Sequence, residues 1–279
     1  MAHENDKNPS RNDEATPLHI AAKEGHLAVC RLIIGYLDDK NPSDIEGKTP
    51  LHGAAEKGHL EICKLFLENV CNKNPPYNEG DTPIHIAATK GHFEICKLFI
   101  TSVDDKNPKR NDKITPLHKA AQEGHLKVCE LIIDCLHDKN PSDKDGNTPL
   151  HDAAEQGHLE ICKLFMTFLN DKNPSMDDGF TPLHIAACDG NLEVCKLFIE
   201  NVSNKNPADI DGDTPLHCAA LQGHLNVCKL ILENVIVKNP LNDKGETPLS
   251  IATRCGHKDI CKLFTKRKSL DVKAKVVKK

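Results

Sequence analysis

Residues 148–165 read Thr148-Pro149-Leu150-His151-Asp152-Ala153-Ala154-Glu155-Gln156-Gly157-His158-Leu159-Glu160-Ile161-Cys162-Lys163-Leu164-Phe165, and this stretch decides the fold. Thr148 suits an N-cap, because its hydroxyl accepts from an otherwise unpaired backbone N–H. Pro149 at the first helical position presets φ and gives up no needed donor. A short helix is predicted over 149–156, ended by Gly157, which takes a positive φ at little cost. His158 and Leu159 begin a second helix, in which Leu159, Ile161, Cys162, Leu164 and Phe165 form an apolar stripe of helical period. The polar stretch from Asn170 to Phe180, with Asp171-Lys172-Asn173-Pro174 and Gly179, reads as an extended turn.

The same pattern recurs along the chain. Thr-Pro begins at Thr16, Thr49, Thr82, Thr115, Thr148, Thr181, Thr214 and Thr247, 33 residues apart each time. A histidine follows three residues on in seven units, with Ser250 in the eighth. Gly25 to Gly256 mark the ninth position after each Thr, Cys30 to Cys261 the fourteenth, and Asn-Pro stands eight residues before it. Paired small residues such as Ala21-Ala22 let neighbouring units approach closely. One such unit cannot bury its apolar face alone, so its stability must come from its neighbours.

These residues carry a resemblance. Thr-Pro-Leu-His, the Ala pair, Gly-His-Leu and the Cys-Lys-Leu run at a 33-residue period resemble the ankyrin repeat, over about 260 residues. The resemblance implies an all-α solenoid of stacked helix-turn-helix repeats with β-turn fingers, and protein recognition through the fingers and inner helices. The expected layout is eight repeats over 1–265, with Ser250, Thr253, Lys258 and Thr265 making the last a polar C-terminal cap, then a basic disordered tail over 266–279. Glu14 and Lys113 stand where other fingers carry Gly, so those two turns are expected to differ. The chain opens inside a finger, which suggests a piece of a longer array with an apolar end. In the family the Asn-Pro asparagine is a hydroxylation target; here Lys usually precedes it, and a turn-setting role is the better reading.

Composition bounds the function. Net charge is −5, but 266–279 carries +6 and the body −11. An acidic body argues against broad nucleic-acid binding, which needs clustered Lys and Arg. No run approaches the roughly 18 apolar residues of a membrane span, and the first ten residues lack the apolar core of a signal peptide. The chain is expected in the cytosol or nucleus, with a nuclear-import role for the tail as a minority reading. Thirteen cysteines fit a reducing compartment. The eight periodic ones lie on equivalent helices about 8–10 Å apart, too far for disulfides, which need Cα atoms within about 7 Å. They read as small core hydrophobes, and no metal or cofactor is expected. The Thr-Pro-Leu-His histidines recur in uniform surroundings with no triad or phosphate loop, and read as hydrogen-bonding struts.

Recognition should fall to positions that vary between units. The residue three before each Thr is acidic in seven units, among them Asp178 and Asp211, which suits a partner with a basic stripe or simply solubility. Ile114, Phe180, Ile185, Cys188, Ile210 and Leu221 are apolar where neither cap nor core requires it, and Asp213 stands at another finger position. Five of the apolar six fall in the sixth and seventh units, where the protein-binding site is expected. The leading reading is a non-catalytic scaffold or adaptor. The alternatives are a regulatory or targeting region of a larger polypeptide, a redox or metal protein, and a mechanical spacer.

Overall fold

The computed structural model describes residues 13–265. The opening residues and the basic tail expected over 266–279 lie outside them. The chain divides into two compact units, the first ending at Lys144 and the second beginning at Asp145. Among the described residues there is no β-strand.

In unit 1 the helices are α1 (Pro17–Lys23), α2 (Leu27–Ile34), α3 (Pro50–Lys57), α4 (Leu60–Asn69), α5 (Pro83–Thr89), α6 (Phe93–Ser102), α7 (Pro116–Gln122) and α8 (Leu126–Cys135). Unit 2 holds α9 (Pro149–Glu155), α10 (Leu159–Phe168), α11 (Pro182–Asp189), α12 (Leu192–Asn201), α13 (Pro215–Gln222), α14 (Leu225–Asn234) and α15 (Pro248–Arg254), then a helical stretch over 258–265. The Thr-Pro helices, here called inner, have 7–8 residues. Isolated helices are marginal below about 12–15 residues, so these hold their shape through packing and caps.

Packing follows the repeat. In each unit successive inner helices touch, and so do successive second helices. The Ala pairs are buried throughout, and the second helices contribute Phe66 and Phe99 to one core and Phe165 and Phe198 to the other, all fully enclosed. Val29 in the first repeat is 44% exposed, whereas the same position is 1–2% exposed in the other seven repeats.

The helix starts are held by more than the threonine. The Asn of an Asn-Pro lends Oδ1 to the second helical N–H, as in Leu51 N–H to Asn41 (3.2 Å), Leu117 to Asn107 (3.0 Å), Leu183 to Asn173 (3.1 Å) and Leu216 to Asn206 (3.1 Å). These asparagines therefore cap the helix as well as setting the turn. The histidine three residues after the Thr reaches back, and its Nδ1 accepts from the Thr backbone N–H at 3.0–3.2 Å. That leaves Nε2–H to donate to a carbonyl of the next finger: His19 to Lys48 (3.1 Å), His85 to Ile114 (3.3 Å), His184 to Asp213 (3.2 Å) and His217 to Glu246 (3.4 Å).

A second histidine series performs the same task at the start of the second helices. His59 donates from Nε2 to the Lys23 carbonyl (3.0 Å), His92 to Glu56 (3.1 Å) and His125 to Thr89 (2.9 Å). In unit 2, His224 bonds to Cys188 (2.8 Å) and His257 to Leu221 (3.0 Å). Asn191 substitutes with its amide, donating to Ala154 and Glu155.

The fingers form a ladder by backbone bonds: Ile45 N–H to Asp13 (3.1 Å), Asn78 to Glu46 (3.3 Å) and Asn111 to Glu79 (3.2 Å) in unit 1, and Ile210 to Asp178 (3.1 Å) and Asp243 to Asp211 (3.0 Å) in unit 2. The turn expected to change at Lys113 does not. Lys113 takes φ +66° and its N–H donates to Arg110 (3.0 Å), matching Gly47 to Asp44 (2.9 Å). Glu14 likewise adopts φ +61°. At Lys113 the ladder on either side holds the backbone shape, so the side chain accepts left-handed strain of roughly 1–2 kcal/mol.

Candidate functional site

The fingers and inner helices place the variable positions side by side. In unit 2 the structure brings together eight of the nine sequence-predicted residues. Phe180, Asp178, Ile210, Asp211 and Asp213 lie on two fingers joined by the Ile210–Asp178 backbone bond, and Ile185, Cys188 and Leu221 lie on α11 and α13, which pack together. Ile210 is 69% exposed and Leu221 43%, while Phe180, Ile185 and Cys188 are half-buried. Phe180 stacks on His184, with centroids 5.0 Å apart and planes at 29°. Ile114 stands in unit 1, half-buried, its carbonyl taken by His85 and its N–H donating to Asp112.

The acidic row has a further role. Asp13, Asp112 and Asp178 each accept, through Oδ1, the N–H two residues on (Ala15 3.1 Å, Ile114 3.1 Å, Phe180 2.9 Å), so their carboxylates fix the finger's own turn. Asp213 accepts from the Asn242 amide at 2.8 Å and is half-buried. Asp211 is the open member, 3.7 Å from Lys244 Nζ.

Unit 1 has a groove of mixed apolar and charged lining that the sequence reading passed over. It spans about 360 Å³ between fingers and inner helices, lined by His19, Ile20, Lys23, Ile45, Gly53 and Ile86 among others. Ile20 (44% exposed) and Ile45 (66% exposed) hold the register positions of Ile185 and Ile210. The periodicity that picked out the second pair was equally available for the first. Ile236, Val237 and Leu241, exposed on the loop between α14 and α15, were also missed. Val237 replaces an Asp or Asn whose side chain accepts from the residue two on, as Asp171 does from Asn173 (3.0 Å) and Asn204 from Asn206 (3.2 Å).

Charge chemistry sits on the unit 1 fingers. Arg110, largely buried, reaches Asp81 (2.8 Å), Glu79 (2.9 Å) and Asp112 (3.3 Å). Burial depresses the histidines of the Thr-Pro-Leu-His motif: His52 and His184 fall to about 4 and His85 to about 3. Burial also pushes the periodic thiols up, to about 12 for Cys63, Cys96, Cys162, Cys195 and Cys228. Such groups stay protonated and weakly nucleophilic. All thirteen cysteines are free, and among the described residues no three His, Cys, Asp or Glu side chains converge as a metal cluster would require. No described helix is long and apolar enough to cross a membrane.

Helix pairs stacked through hydrogen-bonded fingers, with variable side chains along one edge, define a helical-repeat solenoid of the interaction type. A family model described as ankyrin repeats (3 copies) matches residues 1–76, 67–143, 132–209 and 190–275, and the chain belongs to that family. Ankyrin repeats are in general protein-interaction modules. No curated protein matches this sequence.

Proposed function

We propose that this chain is a non-catalytic scaffold or adaptor that binds a protein partner through the fingers and inner helices of unit 2. The observation that carries the reading is the apolar set of Phe180, Ile185, Cys188, Ile210 and Leu221, on positions that neither cap nor core uses, bordered by the exposed carboxylates of Asp178 and Asp211. Large apolar anchors supply most of the energy of protein interfaces, and a carboxylate border favours a partner with a basic stripe. The free thiols suit a reducing compartment such as the cytosol or nucleus.

The test compares wild type with the Phe180→Ala/Leu221→Ala double variant as affinity baits, read by quantitative mass spectrometry. Each substitution should weaken a genuine partner by about 1–3 kcal/mol while the far-UV circular dichroism stays unchanged. An Ile20→Ala/Ile45→Ala bait should retain the same partner. Capture that is equal for wild type and the Phe180/Leu221 variant, or that is lost only with the unit 1 variant, would overturn the assignment.

A further inference from the structure

Cys188 and Cys218 lie outside the periodic thiol series. Cys188 is the seventh residue after Thr181 on α11, and Cys218 the fourth after Thr214 on α13. The repeat register brings these two positions together wherever they occur in neighbouring repeats. In unit 1 the corresponding residues are Lys23 and Gly53, and a Cβ built on Gly53 would lie 3.3 Å from Lys23 Cβ and 3.6 Å from its Cα. Disulfides need Cβ atoms about 3.5–4.5 Å apart, so this position pair lies within a few tenths of an ångström of disulfide spacing, unlike the periodic cysteines. It holds two cysteines at one place only. In unit 2, α11 and α13 pack together and the two thiols are near enough to shift each other's protonation.

The thiols differ in access. Cys188 is half-exposed and Cys218 is buried. The neighbouring Cys218 thiol holds the Cys188 thiol below its usual range, against the opposing effects of burial and of Asp189, Asp209 and Asp213, while the Cys188 neighbour and burial push Cys218 up. A reachable sulfur beside a shielded one is the arrangement of an attacking and a resolving thiol.

We propose that Cys188 and Cys218 form a redox-active dithiol, in which Cys188 exchanges with a small-molecule disulfide of the glutathione class and Cys218 resolves the adduct into an internal disulfide. In the first step Cys188 Sγ bonds to one sulfur of the small molecule as its S–S bond breaks, and one thiolate leaves. In the second, Cys218 Sγ bonds to Cys188 Sγ, the mixed disulfide breaks and a second thiolate leaves. The two protein thiol protons end on the two leaving thiolates; the protein loses two electrons and the small disulfide gains them. The product ties α11 to α13 beside Ile185 and Leu221. This inference stands on the register of the two cysteines on packed helices and does not depend on the protein-binding reading; its test uses no partner.

Native full-length protein is incubated with oxidised glutathione, quenched with iodoacetamide and mapped without reduction by tandem mass spectrometry. Tryptic peptide 173–196 should appear linked to 206–229, with fragmentation placing the bond at Cys188 and Cys218 and not at Cys195 or Cys228. Dithiothreitol should reverse it. Cys218→Ser should leave a stable glutathione adduct on Cys188, and Cys188→Ser should slow modification of Cys218 at least tenfold. The proposal fails if wild-type Cys188 keeps its adduct, if it stays a free thiol, or if either cysteine links elsewhere. The wild-type map decides the question even if a serine variant does not fold.

Discussion

Unit 1 and unit 2 use the same scaffold bonds and fill their variable positions differently. The unit 1 fingers are tied by charge, with Arg110 gathering Asp81, Glu79 and Asp112, and its inner-helix edge is broken by Gly53 into a groove flanked by Lys23 and Lys48. The unit 2 edge carries Phe180, Ile185, Cys188, Ile210 and Leu221 with few cations. One backbone frame thus supports an ion-clamped edge in one place and an apolar edge in another. The difference teaches that in such a repeat the surface chemistry is chosen independently of the fold, by side chains the caps and core leave alone.

The largest expected effect touches what the two units share. Histidines such as His52, His85 and His184 are buried and neutral in the fold, with depressed values, and take protons near pH 6.5 once unfolded. The unfolded state therefore binds more protons below about pH 6.5, and stability falls as the pH drops from there towards about 4. Urea midpoints across this window should decline in both units. A flat profile would mean the struts are not buried as described.

A smaller effect should fall on unit 1. Arg110→Met removes the partner of a buried Asp81 and should cost roughly 2 kcal/mol, because breaking such a pair leaves a charge uncompensated. Urea denaturation read by circular dichroism checks it, and a loss below about 0.5 kcal/mol would reduce the clamp to an ordinary surface pair.

The smallest effect contrasts a finger from each unit. Lys113→Gly should stabilise by about 1 kcal/mol by relieving its left-handed backbone. The reciprocal Gly179→Lys should destabilise by more, since a Cβ there would meet Asp209 Cα and Ile210 N at 2.9 Å. Equal and opposite changes in midpoint would show that strain alone separates the two turns.

Much of the fold was legible in the residues. Thr-Pro starts, the Ala pairs and the apolar stripes each answer a local requirement, and eight in-phase copies leave little freedom in how they combine. The turn at Lys113 misled because glycine preference is a local rule, whereas the ladder holds its backbone from both sides. The site was less legible. Variable positions could be picked out, but not which side chains were already engaged: Asp178 sets its own turn and Asp213 holds Asn242. Ile20 and Ile45 were missed for lack of a consistent register argument, and the Cys188–Cys218 pairing needed a distance between positions in adjacent repeats.

The histidine struts have a consequence for how such a protein changes over time. Their acceptors are main-chain oxygens of Lys48, Ile114, Asp213, Glu246, Lys23, Glu56, Thr89, Cys188 and Leu221. Several of these same residues, Ile114, Asp213, Cys188 and Leu221 among them, occupy positions that vary between units. Since a peptide oxygen is present whatever amino acid occupies the site, the joint between modules is blind to substitution there, and new specificities can be explored without loosening the stack.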